Sequence, residues 1–432
     1  MSTLGITDGL VLRPDMRVER ADVLVDREAG EILDVRPEIG RSADERLDAS
    51  DALVAPGLVN AHTHAAMTLL RGYADDKPLE SWLREDVWPA EAELTPDDIA
   101  AGTRLAALEM IRSGTTAFAD MYFSEPRVAD VVVESGLRAR LGHGVVTVGK
   151  DEEAAWADVE ESLTVADEVR GVSDRVETAF TPHSLTTVGE EYLREGVARA
   201  RELGVPVHVH ANETRHEVDP VVEERGVRPL EYAREVGLLE PGDFLAHCVH
   251  LDATEIDLLA ETGASAVHCP ASNMKLASGM APVQRLLDAG VRVGLGTDGA
   301  ASNNDLDLFG ELRDAAMVGK LAAGDASAVA AGDAVRMATA GSADAIGLPG
   351  GRIEPGAAAD CIVVGLDAAH LTPVHDPVSH LAYAATGSDV RHTVCDGRVL
   401  MRDREVLALD APSVRAEAEE RAAALVERAE TA

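Results

Sequence analysis

Leu53-Val54-Ala55-Pro56-Gly57-Leu58-Val59-Asn60-Ala61-His62-Thr63-His64 is an apolar run that ends in two histidines. Unbroken apolar stretches of this kind are strands buried on both faces, as in parallel sheets covered by helices. Residues i and i+2 of a strand share a face, so His62 and His64 project together from its end. Two imidazoles placed that way suit Zn²⁺ or Fe²⁺. The same texture recurs at Thr115–Tyr122, Arg138–Val146, Val176–Ser184, Pro206–Glu213, Phe244–His250, Ser265–Ser272 and Arg292–Gly299, with amphipathic segments between. One segment opens Thr95-Pro96-Asp97-Asp98, which supplies an N-cap, a proline and acids for a first turn, and it stops at Gly114. Eight strand–helix units over about 250 residues predict an α/β fold, a (β/α)8 TIM barrel. An open doubly wound sheet is the structural alternative. Against it, neither G-x-G-x-x-G nor G-x-x-x-x-G-K-[ST] follows the first strand.

Both ends of the chain have a different rhythm. Ala21-Asp22-Val23-Leu24-Val25 and Glu31-Ile32-Leu33-Asp34-Val35 read as short strands, and so do Ala359–Val364 and His392–Leu400. Neither end is large enough for a sheet of its own. Together they predict one small β-sandwich domain from residues 1–55 and 346–410, flanking a barrel over 56–345. Residues 411–432 are rich in Ala, Glu and Arg and predict a terminal helix.

The chain has 432 residues, with 39 Lys and Arg against 77 Asp and Glu, a formal charge of −38. That charge argues against nucleic-acid backbones and anionic membranes as partners. Lysine occurs only at 77, 150, 275 and 320. An acidic, lysine-poor chain suits molar salt, where the Debye length falls to about 3 Å and self-repulsion is screened. The expectation is a haloadapted protein that needs salt to stay folded. No basic segment precedes an apolar run at the N-terminus and no apolar stretch reaches 18 residues, so neither a signal peptide nor a membrane span is expected. Cys248, Cys269, Cys361 and Cys395 form no C-x-x-C pair. A soluble cytoplasmic protein with a small-molecule partner is the reading, with homo-oligomerisation left open.

Of 14 histidines, nine lie at or near predicted strand ends: His62, His64, His143, His183, His208, His210, His247, His250 and His268. Asp120 and Asp298 end two further runs. In a (β/α)8 barrel those ends form the face that carries the active site. His208-Val209-His210 again puts two imidazoles on one strand face, and one of them suffices to complete a metal set. Glu213 stands just beyond, where a carboxylate reaches substrate or water. Val293-Gly294-Leu295-Gly296-Thr297-Asp298 presents one carboxylate at a strand tip. Three imidazoles and a carboxylate hold one cation and leave room for a water, whose pKa such a cation lowers toward ~7. The fourth strand ends Phe180-Thr181-Pro182-His183 without a lysine to bridge two metals, so one divalent metal is expected. The H-x-E…P-C-x-x-C signature of zinc cytidine deaminases is absent.

Pro56-Gly57-Leu58-Val59-Asn60-Ala61-His62-Thr63-His64 is similar to the first-strand signature of the amidohydrolase superfamily, and the split β-domain fits as well. Within that superfamily the chain resembles the 5′-methylthioadenosine/S-adenosylhomocysteine deaminases. The residues that carry this are His62–Gly72, Leu245-Ala246-His247-Cys248-Val249-His250-Leu251, His268-Cys269-Pro270-Ala271-Ser272-Asn273-Met274-Lys275-Leu276 and Gly296–Asn304. The resemblance implies metal ligation by His62, His64, His210 and Asp298, zinc first and iron(II) as the alternative. It implies proton transfer by Glu213, orientation of the nucleophile by His247, and removal of the proton of water by Asp298. It further implies that His183 contacts the purine, that Trp82 and Glu91 cover the nucleoside with Glu91 on the ribose, and that Ser302 sits near the ring. The implied reaction is hydrolytic deamination of a 5′-substituted adenosine to the inosine analogue and ammonia. The alternative is another deaminase or chlorohydrolase of the same fold acting on adenosine, guanine, cytosine or a triazine ring. One departure stands out. Leu141-Gly142-His143-Gly144 puts a histidine where relatives carry an arginine expected to meet the amino-acid tail of S-adenosylhomocysteine, with Lys150 nearby.

Overall fold

The apolar run that opens at Leu53 forms two strands in two sheets. The computed structural model describes residues 2–431. Its first strands are β1 (Thr3–Leu12), β2 (Val18–Asp26), β3 (Glu31–Arg36), β4 (Glu45–Asp48) and β5 (Ala52–Pro56), followed by β6 (Leu58–Thr63). The change of sheet falls at Gly57, whose N–H donates to the Asp360 carbonyl at 2.9 Å. A Cβ at Gly57 would stand 2.2 Å from Thr116 Oγ1, so only glycine lets the two strands meet here.

The remaining runs supply β7 (Thr115–Tyr122), β8 (Arg138–Val145), β9 (Val176–Thr178), β10 (Thr181–Pro182), β11 (His208–Ala211), β12 (Phe244–His247), β13 (Ser265–His268) and β14 (Val293–Leu295). All of them pair in parallel, in two sheets: β6, β7 and β8 with β9 and β10 both on β8, and β11 to β14 in chain order. The sheets meet at two seams. At one, Phe180 pairs with Val207 and Ser184 with His210. At the other, the Asp298 N–H donates to the His62 carbonyl at 3.0 Å. Every residue of β6, β7 and β8 is buried, as apolar strands covered on both faces require. Between the strands lie helices. Pro96–Ser113 is one, with Thr95 and Asp98 closing a capping box and Gly114 ending it at φ 87°.

The last strands are β15 (Cys361–Gly365), β16 (Val390–Cys395), β17 (Arg398–Arg402) and β18 (Glu405–Val406). With the first five they build one hydrogen-bonded sheet of nine strands, ordered β18-β17-β16-β15-β5-β1-β2-β3 with β4 on β1. Residues from both termini therefore share one β-layer, joined where β5 pairs with β15. Leu4, Ile6, Val23, Val25, Ile353, Cys361 and Val363 belong to a core of its own. A buried ion pair ties this layer to the parallel strands: Arg138 of β8 meets Asp360 at 2.8 Å and Asp396 at 2.8 Å. The tail is the helix Ala411–Thr431, and Arg428 anchors it on Asp98 at 2.6 Å. The four cysteines are buried and unpaired with one another. Among the described residues no helix is long and apolar enough to cross a membrane.

Candidate metal centre and substrate cavity

At the C-terminal ends of β6 and β11, three imidazoles converge. One ring nitrogen from each of His62, His64 and His210 lies within 4.8 Å of the others. The partners of the opposite nitrogens fix which atoms face inward. His64 Nδ1 lies 2.6 Å from the Met121 carbonyl, and His210 Nδ1 lies 2.7 Å from the His183 carbonyl. A carbonyl only accepts, so both Nδ1 atoms carry the proton and both Nε2 atoms offer lone pairs. His62 Nδ1 lies 2.8 Å from His208 Nε2. Its own Nε2 is buried with no hydrogen-bond partner among the described residues. An orphaned buried acceptor beside two converging lone pairs fits a divalent cation bound by neutral imidazoles.

Asp298 stands beside these rings. It follows β14 with φ 61°, a left-handed conformation that turns its side chain toward β6. Its Oδ1 stands 3.2 Å from His64 Nε2 and 3.5 Å from His62 Nε2. The other oxygen accepts from Ser272 Oγ at 2.6 Å and Ser302 Oγ at 2.8 Å. The glycines of this run allow the approach, since a Cβ at Gly296 would lie 2.8 Å from the His62 backbone carbonyl oxygen. Burial raises the Asp298 carboxyl, but the facing His62 and His64 rings outweigh it and hold the group well below the usual range. Burial pushes the His62 pKa down to about 4, which keeps that ring neutral.

A cavity of about 640 Å³ opens over this cluster. It is lined by His64, His210 and Asp298 and by all the other expected site residues: Trp82, Glu91, His183, Glu213, His247 and Ser302. His62 lies beneath, with no exposed surface. Glu213 Oε2 stands 3.6 Å from His247 Nε2, and Glu213 Oε1 accepts from Ser278 Oγ at 3.0 Å. Burial raises the Glu213 pKa, against the pull of His247. His247 adopts φ 71° and is oriented through Nδ1, 2.9 Å from Asn273 Oδ1. Across the cavity the Tyr122 hydroxyl donates to Glu91 Oε1 at 2.7 Å, and burial pushes the Glu91 pKa up to about 7. Trp82 is buried, its Nε1 donating to the Ala74 carbonyl at 3.0 Å. His183 bonds Thr187 Oγ1 at 3.0 Å.

Ser302 lines the cavity, and its hydroxyl donates to Asp298 and to the Gly299 carbonyl. One expectation changes. His143 does not line the cavity at all. It lies on β8 with its ring toward the helix Glu152–Glu168, 3.3 Å from Asp158 and 3.7 Å from Glu161. Strand alternation explains this: His143 faces outward, and its neighbour Gly144 lines the cavity. Lys150 does reach the cavity and pairs with Asp158 at 2.8 Å. Residues missed as site components are Tyr122, Ser272, Asn273 and Ser278. Ser272 and Asn273 follow directly on the His268 run, where a strand-end position was the available signal; Ser278, in a later loop, gave none.

A family model described as "Amidohydrolase family" matches residues 53–400. The chain is 67% identical to the 5-methylthioadenosine/S-adenosylhomocysteine deaminase of Halobacterium salinarum, over 99% of both chains. It is 46% identical to the 5′-deoxyadenosine deaminase of Methanothermobacter thermautotrophicus, over 98% of this chain and 96% of the other. Among solved structures it is similar to an adenosine deaminase from Xanthomonas campestris with bound zinc, at 37% identity and a TM-score of 0.93, covering 99% of each chain.

Proposed function

Since the chain belongs to the amidohydrolase family, we propose that it deaminates 5′-methylthioadenosine and S-adenosylhomocysteine hydrolytically. The observation that carries this reading is the pairing of Glu213 and His247 at 3.6 Å on the wall of a cavity floored by His64, His210 and Asp298. The similarity to the Halobacterium enzyme supports the substrate class.

His62, His64, His210 and Asp298 would hold one divalent cation, zinc or iron(II), and such a cation supplies the Lewis acidity that brings the pKa of a water toward ~7. The residues of the chain do the rest. Asp298 Oδ1 accepts the proton that the attacking water gives up. Its Oδ2 is saturated by Ser272 and Ser302, which keeps the basic oxygen turned to the cavity. His247, fixed by Asn273, aims Nε2 at the nucleophile. Burial raises the Glu213 pKa and so favours its protonated form, and it gives that proton to a ring nitrogen of the adenine. The water oxygen adds at C6; Asp298 passes the proton it took from water to the amino group, the C6–N bond breaks and ammonia leaves, while Glu213, having given its own proton to the ring nitrogen, takes up the remaining proton of the C6 hydroxyl as the carbonyl forms. Glu91, held on one oxygen by Tyr122, keeps the other for ribose hydroxyls, and Trp82 walls the nucleoside. His183 meets the purine. Lys150, rather than His143, faces the cavity where an amino-acid tail would extend.

We read the two parallel sheets, joined at both seams, as one (β/α)8 barrel over 56–345. The nine-stranded layer stands for the expected β-sandwich from 1–55 and 346–410, with 411–432 as the closing helix. The protein is read as a cytoplasmic, salt-requiring enzyme that binds neither nucleic acid nor membrane. Ammonia release in molar salt is the test, on 5′-methylthioadenosine, S-adenosylhomocysteine, 5′-deoxyadenosine, adenosine, guanine and cytosine. Turnover confined to guanine or cytosine overturns the proposal. Lys150→Ala is expected to raise KM for S-adenosylhomocysteine and leave methylthioadenosine unchanged.

A further inference from the structure

His208 is a strand-end histidine that does not line the cavity. It has no exposed surface, and its ring lies flat on Phe244, with centroids 4.0 Å apart and planes 14° from parallel. Its Nδ1 lies 3.0 Å from the Phe244 carbonyl oxygen, and its Nε2 lies 2.8 Å from His62 Nδ1. The carbonyl can only accept, so Nδ1 of His208 is the protonated nitrogen. Nε2 of the neutral ring is therefore a lone pair, and it needs the Nδ1–H of His62. That leaves Nε2 of His62 bare, facing His64, His210 and Asp298. His64 and His210 reach the same state through single backbone carbonyls. His62 reaches it through a second imidazole, in a two-ring relay that ends on the backbone of β12.

We infer that His208 is a positioning residue, fixing His62 in the tautomer and ring orientation that present Nε2 to a divalent cation. The two histidines of His208-Val209-His210 share a strand face and divide the work: His210 ligates and His208 sets its neighbour. The inference rests on the metal reading given above. Partners of this kind typically change metal affinity by about 10- to 100-fold.

The test uses the full chain in molar salt with zinc as the probe. His208→Phe keeps a flat ring against Phe244 and removes the acceptor. His208→Gln keeps a side-chain carbonyl that can accept from His62. Chelator competition is expected to show zinc held about 10- to 100-fold more weakly by His208→Phe, with most of that loss recovered in His208→Gln. Nitrogen-15 spectra of histidine-labelled, zinc-loaded wild type provide a readout that needs no variant: His208 is expected as the Nδ1–H tautomer. Zinc held equally by wild type and His208→Phe overturns the inference, and so does a proton on His208 Nε2. A wild-type chain that binds no zinc overturns the metal reading itself, and the inference falls with it.

Discussion

Replacing Glu213 by Gln removes one proton and almost no volume. The surroundings allow the amide to stay in place. Its oxygen can accept from Ser278 Oγ as Oε1 does now at 3.0 Å, and its nitrogen can occupy the site of Oε2, 3.6 Å from His247 Nε2. Fold and metal set are therefore expected to survive, and only the transferable proton is lost. General acid–base catalysis contributes about 10²–10⁴-fold, or roughly 2.7–5.4 kcal/mol at 1.36 kcal/mol per tenfold. Two neighbouring carboxylates are poorly placed to substitute. Asp298 Oδ2 already accepts two hydroxyls, and Glu217 Oε2 is bound to the Glu213 N–H at 2.8 Å. The upper half of that range is expected. The assay is initial-rate ammonia release from saturating 5′-methylthioadenosine in molar salt, with zinc content and melting temperature measured on the same sample. The alkaline limb of the wild-type pH profile reports loss of the Glu213 proton; because burial raises that pKa, the limb lies above the ordinary carboxyl range, and the variant lacks it. A zinc-loaded variant that turns over within about threefold of wild type refutes the reasoning.

Glu91 accepts ribose hydroxyls only when ionised, and its pKa is pushed up to about 7. KM for the nucleoside is therefore expected to fall as pH rises from 6 to 8, and Glu91→Gln to abolish that trend; a pH-independent wild-type KM counts against the role. The same shift acts on stability with the opposite sense. The folded chain keeps a proton that the unfolded chain releases near 4.5, so this group's contribution is present below 4.5 and lost as pH rises through about 7. Asp360→Asn leaves the buried Arg138 guanidinium short of its main counter-charge, and is expected to cost about 3–5 kcal/mol in urea unfolding. A change under about 1 kcal/mol, the value of an exposed pair, would remove that ion pair from the account of how the two layers are joined. Asn273→Ala frees the His247 ring, and kcat is expected to drop about 10²-fold with KM little changed; loss confined to KM would speak against an orienting role.

Much of the site was legible because strand alternation is so regular. The spacing of His62 and His64, and of His208 and His210, announced shared faces, and the parallel strands carry them as expected. Alternation also misled where its phase was not known. His143 sits on a strand whose cavity-facing register belongs to Gly144, and nothing in a single sequence states which of two neighbours points inward. The split of the Leu53–His64 run between two sheets was hidden for a similar reason. Pro56-Gly57 marks a break, but the partner strand β15 lies at the far end of the chain. The bond from the Ser302 hydroxyl to the Asp298 carboxylate four residues earlier was not legible, because the turn that brings them together is set by the fold around them.

The pairing of β5 with β15 has a consequence for how the protein is made. Cys361 sits opposite Pro56, with residues 57–360 synthesised between them. Contacts so distant along the chain close slowly, after the intervening segments have ordered. During translation β5 must wait, one exposed edge unsatisfied, until the ribosome has released β15. His62 lies only a few residues beyond that waiting strand. His62 and His64 are thus among the first of the candidate site's residues to be synthesised, yet the sheet that abuts their strand is completed among the last.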